Sequence, residues 1–314
     1  MRRLGCSAKI LIPFVIIVFV LFIVGLIAGP LGSALLKIEP PEFLSVSKPH
    51  VLLPSEGIVH LSFFTITNTL LASWLTIIAL GVLFYFCTRR MKLIPGRWQG
   101  FAEFIVEALL NFIKGVAGDH NARRLLPVVA TIFLYVLTNA TLALLPFFGT
   151  IGIYEHEHTF VPLFRAANTD INLPLSIALV SFVFIEYLGI KSMGALHYIN
   201  GFFNIGGLMG GVKSLFKGQV KSAVSGIGLG LINIFVGCLE VLSHFIRVIS
   251  FTFRLFGNMT AGEILLLVVT FLVPFVVTSI FFGLELFFGF IQALIFAGLT
   301  LVFGAIALTP HTEE

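Results

Sequence analysis

Charged side chains are scarce in this 314-residue chain, at 11% of residues, against about 25% in soluble globular domains. Hydrophobic residues make up 58%, and the mean hydropathy is +1.07. Too few polar residues remain to cover a surface in water, which excludes a soluble globular protein. The composition predicts that lipid is the solvent for much of the chain.

Cysteine is also rare, and Cys6, Cys87 and Cys238 lie too far apart to show a disulfide or metal-ligand spacing. We interpret them as small apolar residues. The net charge of +4 could indicate nucleic-acid binding, but no nucleic-acid motif accompanies it. The basic residues cluster in short loops between apolar runs, as the positive-inside rule describes, so we expect no nucleic-acid partner.

Six apolar runs are each long enough to cross a bilayer, which takes about 20 helical residues. The last two exceed that length, so these helices must tilt or bend. The sequence therefore predicts an all-α, polytopic membrane protein. A less hydrophobic segment, 98–118, carries polar residues on one helical face and indicates an amphipathic interfacial helix. The six runs are 10–36, 63–86, 125–148, 171–190, 222–256 and 264–308.

The basic loop that follows the second run carries Arg89, Arg90 and Lys92, and it is expected on the cytoplasmic side. Six crossings then place both termini in the cytoplasm. We divide the chain into an N-terminal anchor with an external linker (1–62), a main membrane domain (63–308) and a polar tail (309–314). The first run is longer than the core of a secretory signal and is interpreted as an uncleaved anchor, with a cleaved signal as the alternative.

An outer loop, 149–170, contains His156 and His158. Their spacing could indicate a metal site, but no further ligands lie nearby in the sequence. We interpret this segment as a solvated loop and expect neither a metal nor a cofactor.

Ionisable residues inside the last two apolar runs are the most informative feature, because a charge at the bilayer centre costs about 2.5–3.5 kcal/mol on insertion scales. Glu240, Arg247 and Arg254 are seven residues apart and lie on one helical face with His244. Glu285 and Gln292 repeat that spacing further along. Such stripes indicate an ion pathway, and the alternative is a polar clamp between helices.

Arg254 has a role of its own in this hypothesis, because a guanidinium keeps its proton at any accessible pH. It cannot relay protons. It can attract a passing carboxylate, displace the proton of that carboxylate and block a direct leak.

Four segments resemble subunit a of F-type ATP synthases. FRLFGNMTAGE (253–263) is very similar to the family signature, and the resemblance extends over about 63–308. Both members of the Glu263/Glu285 pair are carboxylates here, whereas some relatives place a histidine at one of them. The other similar segments are IQALIF (291–296), RAANTDIN (165–172) and PGRWQG (95–100).

The resemblance implies a non-catalytic proton-channel subunit in a bacterial inner membrane, whose last two helices form a long tilted hairpin around the c-ring. It implies contact with the c-ring and the subunit b stalk, and indirect contact with the F1 sector. Arg254 would face the ring. The implied positions are Asn258, Glu263, Glu285 and Gln292 in the outer half-channel, Asp170 and Asn172 at its entrance, and Glu240, Ser243 and His244 in the inner half-channel.

Two other functions remain open from the residues alone. A stand-alone secondary ion transporter is one, although such proteins often contain internal repeats and none is found. A purely structural membrane subunit is the other. The N-terminal segment is assigned no role in transport.

Overall fold

The computed structural model describes residues 5–36, 54–60, 62, 64–155, 159–194 and 220–308. Within them, six helices are long and apolar enough to cross a membrane, which confirms the all-α, polytopic membrane fold. His156, His158 and the tail 309–314 lie outside the described residues. The helices are α1 (Gly5–Ala28), α2 (Pro30–Leu36), α3 (Asn68–Thr88), α4 (Arg97–Ala143), α5 (Asn172–Met193), α6 (Val220–Leu272) and α7 (Val276–Leu308).

The interfacial helix and the third membrane span follow one another within α4. Gly118, with φ 75° and ψ 163°, breaks the helical geometry between them, and glycine reaches positive φ without a steric penalty. Gln99 opens the interfacial part: its Nε2 donates to the carbonyl of Lys92 at 2.9 Å, and its Oε1 accepts from the Lys92 amide at 3.0 Å. Most of the polar face predicted for 98–118 is exposed. Gln99 is the exception, because it is buried against the basic loop.

The break between the last two long helices lies later than the sequence predicted. The apolar runs suggested an interruption at 257–263, but α6 continues through these residues to Leu272 and the turn is at 273–275. The interruption in hydropathy contains glycine and polar residues but no proline, so the helix tolerates it. Pro274 occupies the turn itself, where a residue without an amide hydrogen ends the helix. Glu263 therefore belongs to α6 and Glu285 to α7.

Two antiparallel hairpins, absent from the predicted fold, precede α3 and α5. The strands β1 (Gly57–His60) and β2 (Thr65–Thr67) pair first, and β3 (Gly152–Glu155) and β4 (Thr159–Pro162) pair in the outer loop. Because β2 occupies 65–67, α3 begins at Asn68 rather than near residue 63. The Oγ1 of Thr67 accepts the Leu70 amide at 3.3 Å and caps the new helix.

The chain forms two compact units. The first comprises Met1–Thr76, Val136–Asp170 and Phe256–Gln292, and the second comprises Ile77–Tyr135, Ile171–Leu255 and Ala293–Glu314. In the second unit, Ser181 and Thr300 share a buried hydrogen bond of 2.8 Å between α5 and α7. Phe251 of α6 packs on Phe296 of α7, with ring centroids 5.1 Å apart.

The core of the first unit contains a chain of buried polar contacts. Asn139 Nδ2 donates to Thr76 Oγ1 at 3.0 Å, and Asn139 Oδ1 accepts the Asn168 amide at 3.3 Å. Gly289 of α7 is buried against Ala140 of α4, where a Cβ atom on the glycine would lie 2.7 Å from the alanine Cβ. Both contacts fix the end of α4, and this end forms one wall of a cavity.

Candidate functional site

A cavity of about 380 Å³ lies within the first unit. Its wall is mostly apolar and is formed by the end of α4, the outer loop, α6 and α7. Among the described lining residues, Arg165, Glu263 and Glu285 are the only ionisable ones. Two of these three belong to the predicted site.

Arg165 and Glu263 form a bidentate ion pair at this cavity. Arg165 Nε lies 3.0 and 3.1 Å from the two Glu263 carboxylate oxygens, and Arg165 Nη2 lies 3.0 Å from Oε2. Arg165 Nη1 donates to the carbonyl of Pro54 at 3.1 Å. The Arg165 side chain is 9% exposed and that of Glu263 is 29% exposed. Parallel donors that match a carboxylate in this way give strong, oriented contacts.

Glu285 reaches the same cavity from α7 and lies directly against Gly262 of α6. A Cβ atom at position 262 would overlap both carboxylate oxygens of Glu285, so glycine leaves room for the carboxylate in this position. Among the described residues, Glu285 has no hydrogen bond or ion-pair partner. The two cavity carboxylates therefore differ in their partners.

Asn258 and Gln292, which the resemblance assigns to one half-channel, are in contact. Asn258 Nδ2 donates to Gln292 Oε1 at 2.9 Å and so joins α6 to α7. Gln292 is 3% exposed. Its buried Nε2 has no partner among the described residues, which leaves a donor available to water or to a visiting carboxylate.

Asp170 and Asn172 lie at the start of α5. Thr69 Oγ1 donates to Asp170 Oδ2 at 3.0 Å, so Asp170 ties the outer loop to the first turn of α3. Asp170 does not line the cavity. Asn172 is the first residue of α5 and is exposed.

A separate polar contact lies in the second unit, between α5 and α6. His244 Nδ1 is 2.5 Å from Glu186 Oε1, and both side chains are largely buried, at 16% and 19% exposure. The edge of Phe182 faces the imidazole, with centroids 6.2 Å apart. Glu240 and Ser243, the other residues predicted for this group, are exposed on α6.

The two intramembrane arginines of α6 have different surroundings. The Arg247 guanidinium lies over the ring of Phe303, 3.6 Å from its centroid, and is engaged within the chain. Arg254 is exposed and forms no hydrogen bond or ion pair with any described residue. Its neighbour Leu255 is fully buried, so these two adjacent side chains lie on different sides of α6.

Sequence reasoning missed the roles of Arg165 and Glu186. In the sequence, Arg165 is only the first residue of the similar segment 165–172, and its partner lies 98 residues away. Glu186 carried a usable signal, because it is an acidic residue inside the apolar run 171–190.

Comparisons with known proteins agree with the resemblance found in the sequence. Residues 70–305 match the family described as ATP synthase A chain. The chain is 31% identical to ATP synthase subunit a of Helicobacter hepaticus over 222 residues, which is 70% of this chain and 80% of that protein. It is 28% identical to ATP synthase subunit a of a Nitratiruptor species over 252 residues, covering 80% and 92% of the two chains.

Proposed function

The chain belongs to the ATP synthase subunit a family, the proton-channel stator of the Fo sector, and we propose that it loads and unloads protons on a rotating c-ring through two half-channels. The family match extends over most of the chain, and nothing supports a stand-alone transporter. The residue roles that follow are part of the proposal.

The outer half-channel uses Asn258, Glu263, Glu285 and Gln292. This assignment is supported by the shared cavity of the two carboxylates and by the 2.9 Å bond between Asn258 and Gln292. Carboxylates, amides and water can form a hydrogen-bonded chain along which a proton moves. Asp170 and Asn172 are assigned to the entrance.

The inner half-channel uses Glu240, Ser243 and His244, and we add Glu186. The support for Glu186 is its contact with the His244 imidazole between α5 and α6. A histidine and a carboxylate in contact can exchange a proton, and both can transfer it to water.

Arg254 is the ring-facing cation, and its exposure without an internal partner is the observation that carries the proposal. A permanent cation directed out of an apolar helix is unfavourable in lipid. It becomes favourable when an acidic side chain of a neighbouring rotor subunit comes beside it. That acidic group releases its proton towards the inner half-channel when it meets the guanidinium.

The partners are a ring of c-subunits, the subunit b stalk and, indirectly, the F1 sector. The subunit carries protons but performs no ATP chemistry itself. We place it in a bacterial inner membrane with both termini in the cytoplasm, and we assign the channel to 63–308, with 1–62 as anchor and linker and 309–314 as tail. The positions of the basic residues support this orientation.

Replacing Arg254 with Ala in the complete ATP synthase tests the proposal. We expect respiration-driven ATP synthesis in inverted vesicles to be lost while the complex still assembles. Arg247→Ala is the matched control, because that guanidinium is stacked on Phe303 within the chain. Unchanged coupled synthesis in assembled Arg254→Ala complexes would refute the proposal.

A further inference from the structure

The two carboxylates of the outer cavity differ in their electrostatic partners. Glu263 faces a guanidinium that supplies three contacts of 3.0–3.1 Å. Glu285 has no cation or hydrogen-bond donor among the described residues. Two acids that the sequence treats as a pair are therefore not equivalent.

Glu263 provides the counter-charge of Arg165. Arg165 is 9% exposed, and a guanidinium is a permanent cation. Without the charge of Glu263 this nearly buried cation would be uncompensated, and an uncompensated buried charge is strongly unfavourable. The bond from Arg165 Nη1 to the Pro54 carbonyl also holds the guanidinium in place, so it cannot easily move into water.

Glu285 has the opposite situation. Its carboxylate lies in the cavity against the bare Cα of Gly262, and no described cation is paired with it. Since the ion pair next to it is neutral overall, the described cavity lining carries the net charge of one carboxylate. An incoming proton therefore has a single uncompensated acceptor.

We propose that Glu285 alone carries protons through the outer cavity, and that Glu263 is the counter-charge that holds Arg165 in position. This inference rests on the proposed function, because it divides the outer half-channel into a carrier and a support. A hydrated proton forms an O–H bond with a Glu285 oxygen. That bond breaks when the proton passes to an acidic side chain of the rotor, and Glu285 returns to the carboxylate form.

A set of substitutions in the complete ATP synthase separates the two roles. Glu263→Gln leaves Arg165 uncompensated, and we expect it to lower respiration-driven ATP synthesis by about tenfold. Removing both charges in R165Q/E263Q should restore the rate to within about threefold of the wild type, since residues in one ion pair are not additive. R165M/E263M provides an apolar replacement of similar size if the glutamine pair does not assemble.

For Glu285→Gln we expect a loss of activity that a second substitution at Arg165 does not reverse. The rate should fall by about a hundredfold or more, and adding Arg165→Gln should not recover it, because the lost group is the carrier itself. The amount of c-ring that co-purifies with each variant controls for assembly. Glu285→Asp, which keeps a carboxyl group, should recover part of the rate.

Two results would overturn the division of roles. One is an assembled R165Q/E263Q complex that is as inactive as Glu263→Gln, since Glu263 would then be needed for its own proton. The other is a Glu285→Gln complex that retains more than about a third of the rate. Both are judged beside Arg254→Ala: if that variant stays coupled, the proposed function itself is wrong, whereas an inactive Arg254→Ala limits the failure to this inference.

Discussion

His244 and Glu186 are in direct contact inside the second unit, with 2.5 Å between Nδ1 and Oε1. The two residues come from α6 and α5, and the ring of Phe182 lies beside the imidazole. Arg247 is one turn further along α6, and its guanidinium is stacked on Phe303. Because the imidazole and the carboxylate are in direct contact, His244 and Glu186 should act together.

We expect Glu186→Gln and His244→Gln each to lower ATP-driven proton pumping by about tenfold, because either change removes one half of a proton-exchanging pair. The double variant should be no slower than the single variants, since groups that act as a unit are not additive. Fluorescence quenching of a pH dye in inverted vesicles measures the rate. Tyr187→Phe is the control, because Tyr187 is exposed and adjacent to Glu186. Losses that multiply in the double variant would show that the two residues act independently.

Gly262 and Gly283 provide a matched test of the outer cavity. A Cβ at Gly262 would overlap the Glu285 carboxylate, whereas a Cβ at Gly283 meets nothing within 4 Å. The carboxylate is the end of a flexible side chain, so Gly262→Ala should displace it from its position in the cavity. We expect proton-driven ATP synthesis to fall about tenfold or more in Gly262→Ala, because a misplaced group transfers a proton poorly, and to be nearly unchanged in Gly283→Ala. Equal rates in the two variants would contradict the position of Glu285.

The exposed side of α6 near Arg254 should be the side that meets the rotor. Gly257 is exposed and has space for a side chain, whereas Leu255 is 0% exposed. In a background in which Cys6, Cys87 and Cys238 are replaced by Ser, we expect Gly257→Cys to form disulfide cross-links with cysteines on the outer helix of a c-subunit. Leu255→Cys should not. Gel analysis of oxidised membranes measures the cross-linked products. Cross-linking from position 255 but not from 257 would contradict the prediction, because the rotor would then lie against the other face of α6.

The long elements of this fold could be predicted because each depends on local sequence. Six apolar runs fixed the number of spanning helices. The change in polarity near residue 118 separated the interfacial helix from the third span, and a glycine marks that point. The turn between α6 and α7 was misplaced because hydropathy falls at 257–263, whereas the helix ends at Leu272 and Pro274 lies in the turn.

The pairings within the site could be predicted only in part. The seven-residue spacing linked only Glu285 to Gln292, and the resemblance implied one pathway for these two residues with Asn258 and Glu263. In the first unit, Asn258 bonds to Gln292, and Glu263 and Glu285 line one cavity. Their roles in transport stay predictions. The partners Arg165 and Glu186 are separated by 98 and 58 residues from Glu263 and His244. Periodicity within one helix contains no information about contacts between segments so distant.

The end of the N-terminal helix α1, to which we assigned no role in transport, packs on the turn between α6 and α7. Gly25 of α1 lies so close to Pro274 that a Cβ atom would overlap the proline carbonyl oxygen, and Gly29 approaches Leu272 in the same way. Most of α1 before this point is exposed and apolar. Two glycines four residues apart allow close backbone approach in membranes. This contact should therefore stabilise the turn.

Replacing Gly25 with Ala should destabilise the first unit by about 1–3 kcal/mol, because the backbone of Pro274 cannot move aside cheaply. Gly81→Ala in α3 is the control: a Cβ at Gly81 meets nothing within 4 Å, and alanine favours a helix over glycine by up to about 1 kcal/mol. Both substitutions replace glycine with alanine in a helix, so helix propensity alone predicts that both raise the stability. The release of this subunit from the purified complex on heating measures the effect. The midpoint temperature of release should be lower for Gly25→Ala than for the wild type, and equal or higher for Gly81→Ala. If both midpoints rise, the close approach of α1 to the turn does not exist in the membrane.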